Sequence, residues 1–159
     1  MKKRMNFGVV FAVVFGVACA ILVAFLIFIL STSNTLREFK VDMFVLCNEA
    51  DICVRESDEG NLRIDSDNLG ALYAIIYSTK GYFTVGTPEV TEEINLNFDH
   101  NDDKWNLTIG RAGENRLLVE LDGPRNYKVY VKDNKKFEEI QRCVSKSGYH
   151  TANKLIGGK

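Results

Sequence analysis

The chain has 159 residues, of which 46% are apolar and 26% charged, and its formal net charge is −1. This length excludes a multidomain enzyme, and the content of branched and aromatic residues excludes wholesale disorder, so a single folded unit is expected. The apolar residues are unevenly spread: 24 of them fall within the first 30 positions, leaving an apolar head and a leaner, more polar body.

From Phe7 to Leu30 there is no charge and no amide side chain, and only Gly8 and Gly16 interrupt the apolar run. As a helix these 24 residues extend about 36 Å, enough to cross a hydrocarbon core of about 30 Å with some tilt. A transmembrane helix over 7–30 is therefore predicted. A cleaved signal peptide fits less well, because its apolar core spans only about 7 to 15 residues. Lys2, Lys3 and Arg4 precede the run, whereas Ser31 to Thr35 on the other flank are uncharged. The positive-inside bias then places residues 1–6 in the cytoplasm and the body outside it, in the cell envelope. Gly8, Ala12 and Gly16 recur at four-residue steps, a small-residue ladder that suits helix packing in a bilayer. Beyond residue 30 lie all 21 acids and 17 of the 20 bases, a net charge of −4. Such a balance offers no basic footprint for nucleic acid.

Residues 31–37 (STSNTLR) are polar and without amphipathic pattern, and read as a linker. In 38–47, Phe39, Val41, Met43 and Val45 alternate with other residues, which predicts a strand opening the outer domain. Ile52 to Arg55 and Leu62 to Ile64, separated by a turn-rich stretch, read as two short hairpin-linked strands. Ser66 or Asp67 is placed to cap a helix carrying Leu69, Leu72, Tyr73 and Ile76, with Gly81 as its C-terminal cap and 81–91 as a connector, in which 82–85 have strand character. Four period-two runs follow: Ile94, Leu96 and Phe98; Trp105, Leu107 and Ile109; Leu117, Val119 and Leu121; and Tyr127, Val129 and Val131. Separated by turn residues, they predict a four-strand antiparallel meander with one apolar face. Asp133 or Asn134 then caps a last helix with Phe137, Ile140 and Val144 on one stripe and Cys143 beside it, ending near Gly148, before a tail at 149–159. The expected architecture is α+β: a membrane helix, and an extracytoplasmic domain over 38–148 whose mainly antiparallel sheet is covered by two helices.

No catalytic, cofactor-binding or metal-binding set is assigned. In an oxidising exterior Cys47 and Cys53 are the preferred disulfide pair, closing a small loop across the first hairpin; Cys143 is the alternative partner, and small buried thiols without any bridge are the remaining reading. His100 and His150 fall in a loop and in the tail, without a nucleophile beside them. Asp99, Asn101 and Asp103 match the first ligand spacings of a calcium loop, but Lys104 and Gly110 stand where that template needs Gly and Glu, so a solvated turn is expected. The polar face of the meander is the candidate contact surface: Asn95, Asn97, Asn106, Thr108, Glu120, Lys128 and Tyr130, with Leu118 as an apolar misfit. These readings converge on a single-pass membrane protein whose outer domain is a binding or accessory module. Its expected partners are the lipid bilayer and other envelope or membrane proteins. The opposing reading is a membrane-anchored hydrolase with a site assembled from scattered acids such as Asp99, Asp102 and Glu120, for which two converging carboxylates would be required.

Overall fold

A computed structural model describes residues 7–57, 60–81, 88–133 and 135–145. The expected N-terminus at 1–6, the strand character at 82–85, the alternative cap Asn134, the helix end near Gly148 and the tail at 149–159 with His150 lie outside the described residues.

The largest departure from expectation is at the start. One unbroken helix, α1 (Phe7–Glu49), runs through the apolar head, through the expected linker at 31–37 and through the expected strand at 38–47. Its 43 residues extend about 65 Å, twice what a membrane span needs. The hydroxyls that suggested a linker bond back into the helix: Thr32 Oγ1 donates to the Phe28 carbonyl at 3.1 Å and Thr35 Oγ1 to that of Ser31 at 3.0 Å. Past the linker the governing period is helical. Leu36, Phe39, Met43 and Leu46, spaced by three and four, are all buried, whereas Val41 and Phe44 face outward. The alternation of Phe39, Val41, Met43 and Val45 was a short-window coincidence with period two.

The two halves of α1 have opposite surroundings. Large side chains from Val9 to Leu30 are exposed, and the segment is long and apolar enough to cross a membrane, with none of its apolar window buried against the rest of the chain. The second half is the first core element of the domain.

After α1 come β1 (Ile52–Glu56), β2 (Leu62–Arg63) and α2 (Ser66–Tyr77). The N-cap of α2 is Asp65, one residue ahead of the expected Ser66, and its side chain accepts from the Asn68 amide at 2.8 Å. Ser78, not Gly81, closes that helix, and Gly81 instead bridges to Val131. Strands β3 (Val90–His100), β4 (Asp103–Ala112), β5 (Arg116–Asp122) and β6 (Tyr127–Lys132) form the meander, followed by α3 (Lys136–Ser145). The Asp133 carboxylate accepts from the Phe137 amide at 3.3 Å, as a cap should.

The meander belongs to a larger antiparallel sheet of order β2-β1-β3-β4-β5-β6, in which the first hairpin extends the β3 edge. Between β3 and β4, Asn101 and Asp102 hold φ of 52° and 67°, the pair of left-handed residues that a two-residue hairpin turn requires. One face of the sheet, with Ile94, Leu96, Phe98, Leu107, Ile109, Leu117, Leu121, Val129 and Val131, joins the buried stripes of α1, α2 and α3 in a single core. Three helical segments thus cover the sheet where two were expected. Each fully buried side chain in that layer contributes roughly 1.5–3 kcal/mol.

Candidate contact face and its supports

The face opposite the helices carries the side chains singled out in the sequence, and strand register orders them into cross-strand rows. Asn95, Thr108, Glu120 and Lys128 are successive partners across β3, β4, β5 and β6, with Glu56 of β1 joining at the Asn95 end. A second row runs from Val54 through Asn97 and Asn106 to Asp122. A third joins Glu93, Gly110, Leu118 and Tyr130. All eight candidate contact residues therefore share one face.

Neighbours within and between these rows hold one another in place. Thr108 Oγ1 donates to Asn95 Oδ1 at 2.8 Å, Asn97 Nδ2 donates to Glu56 Oε1 at 2.6 Å, and Lys128 pairs with Glu120. The Glu120 carboxylate beside Lys128 holds the ammonium pKa above its ordinary value. Leu118 is buried, outside the main core cluster, and Gly110 next to it has no room for a side chain because Val90 occupies that space. At the β3–β4 end the face dips into an open pocket of about 600 Å³ whose lining includes Asn61, Asn97, Asn106, Lys104 and Asp122. The result is a nearly flat, amide-rich surface with preset donors and acceptors, suited to recognition by hydrogen bonding.

Of the acids of the hydrolase reading, Asp99 and Glu120 are not brought together, although Asp99 and Asp122 line the same open pocket. Glu120 sits beside Thr108 on one side of β4, whereas Asp99 sits beside Lys104 on the other side and four positions along, roughly 16 Å away. Asp102 occupies the hairpin turn. Among the described residues no group of three His, Cys, Asp or Glu side chains is arranged to hold a metal ion. His100 is anchored rather than loose, its Nδ1 lying 3.1 Å from the Glu49 carbonyl at the end of α1.

Cys47 and Cys53 are buried free thiols in the structure, and Cys143, half-buried, donates to the Asn68 carbonyl at 3.0 Å. Burial pushes Cys47 up to about 12, with Cys143 nearby adding to the effect. Burial likewise pushes Cys53 up to about 12, aided by Cys47. The ladder Gly8, Ala12 and Gly16 lies along one side of the exposed half of α1, with open space around Gly16.

Two polar residues of α1 have roles that a strand reading hides. Asp42 is buried, and its carboxylate accepts from the Tyr127 hydroxyl at 2.6 Å and pairs with Arg125, tying the helix to the β5–β6 end of the sheet. Lys40 donates to the Tyr77 and Thr79 carbonyls at 2.8 and 2.6 Å, capping the C-terminal end of α2. The only sequence signal for either was a charge beside apolar residues at helical spacing. No family model matches the chain, and neither the curated proteins nor the solved structures contain a match to it.

Proposed function

We propose that this is a single-pass membrane protein, N-terminus in the cytoplasm, whose extracytoplasmic domain is a binding or accessory module that docks on another envelope or membrane protein through its open sheet face. The observation that carries the reading is the three-row alignment of eight polar-face residues opposite the helix-covered face. Supporting it is the helix that enters the domain from the apolar segment without a break. An anchor continuous with a core element holds the face at a set height and rotation relative to the bilayer, which lowers the orientational cost of meeting a membrane-bound partner.

The test is affinity capture of the intact chain from its native membrane, beside the variants Asn106→Arg and Thr108→Arg. Each places a long cation on the face without touching the core. The expected result is a defined set of co-purifying membrane proteins lost from both variants. Recovery of the same set with both variants would remove the sheet face as the contact surface.

A further inference from the structure

At the junction between the apolar half of α1 and the domain lies a second cavity, a groove of about 670 Å³ lined by Ser33, Arg37 and Lys40 of α1 and by Ser78, Lys80 and Gly81 after α2. Its depth relative to the apolar segment is fixed by contacts. A side chain added at Gly81 would meet Leu36 at 3.2 Å and Thr32 at 3.8 Å, so the 79–81 loop lies beside the first turns past Leu30. At about 1.5 Å per residue, Ser33 to Arg37 lie roughly 5 to 10 Å beyond that end, the depth of a lipid headgroup layer.

The groove is rich in cations without acidic partners. Arg37 and Lys80 are exposed, and none of Arg37, Lys40, Lys80 and Lys136 is in a salt bridge among the described residues. Lys136 reaches in from the start of α3, donating to Ser78 Oγ at 2.6 Å. Partial burial, and then the nearby Lys136 charge, hold the Lys40 pKa below its ordinary value. Cations crowded in this way are relieved by a bound anion, which gains charge-assisted hydrogen bonds from several donors at once.

We infer that this groove binds a phosphate group, with Arg37 and Lys80 as the principal contacts and Lys40 as the fixed floor, and that the phosphate is that of an anionic lipid headgroup. The lipid source rests on the membrane reading, whereas phosphate binding itself does not, and the two are separable by experiment.

The intact chain in neutral detergent is titrated with phosphatidylglycerol, with phosphatidylcholine and, in lipid-free samples, with inorganic phosphate, and native mass spectrometry reads the bound species. Arg37→Gln and Lys80→Gln are compared with Lys104→Gln at the far hairpin. The expected result is retention of phosphatidylglycerol over phosphatidylcholine, reduced roughly fivefold by each groove variant and unchanged in Lys104→Gln. Binding of inorganic phosphate alone, lost in the same two variants, supports the phosphate site and overturns its assignment to lipid. Equal retention in all three variants, or none in the unmodified chain, overturns the site, and neither result bears on whether the helix spans the bilayer.

Discussion

Asp42 shows how much one side chain contributes to the joint between helix and sheet. Its carboxylate is buried, while Arg125, its ionic partner, is largely exposed and Tyr127 is buried. Asp42→Ala leaves the Tyr127 hydroxyl without its acceptor and is expected to cost about 2–3 kcal/mol in urea unfolding of the detergent-solubilised chain. Arg125→Ala is expected to cost less than about 1 kcal/mol, because solvent screens the exposed guanidinium; equal losses would show that the ion pair rather than the buried hydrogen bond matters. Alkaline pH weakens this joint and the buried thiols alike. Burial, with the hydrogen bond to Asp42, pushes Tyr127 up to about 12, and burial pushes Cys47 and Cys53 to about 12 as well. In each case the folded state keeps a proton that the unfolded chain gives up at lower pH. Their stabilising effect is therefore complete below the ordinary thiol value near 9.0 and is lost as pH rises to about 12. Thermal unfolding is expected to shift downward across that window, and a melting temperature that is flat from pH 9 to 11 would contradict it.

At the scale of elements, α1 is where sequence pattern and structure part. Over ten residues an alternating pattern and a helical stripe share positions such as Phe39 and Met43, and they separate at Val41, Val45 and Leu46. Substitution tells them apart. Phe39→Ala and Met43→Ala are each expected to cost about 3–4 kcal/mol, by loss of burial plus a cavity. Val41→Ala, on the exposed side, is expected to change stability by less than about 0.5 kcal/mol; a strand would make Phe39, Val41 and Met43 equally sensitive, as residues on one face. The meander was legible for a complementary reason. Each of its four runs is closed by turn residues and repeats the same parity, so neighbouring strands corroborate one another. An isolated ten-residue window next to a long apolar segment has no such neighbour.

For the whole molecule, the proposed topology predicts that protease added to intact cells cuts the chain within 31–145 and leaves a membrane-embedded N-terminal fragment. Full protection in intact cells, with cutting only after the membrane is opened, would reverse the orientation. Composition and period alone determined the apolar segment, the four meander strands, the two later helices and the side of the sheet on which each candidate contact residue falls, because these follow from local repetition that no distant contact can change. The continuous α1, the joining of the first hairpin to the β3 edge, the bonding of Asp42 and Lys40 and the cationic groove beside the end of the apolar segment were decided by tertiary structure. Each depends on residues far apart in the chain meeting: Lys40 with Thr79, Asp42 with Tyr127, Gly81 with Leu36. A helical stripe in 36–46 declares itself only when α2 and the sheet are there to receive it, since burial against α2, β6 and β3, rather than intrinsic propensity, selects helix over strand in so short and ambiguous a stretch.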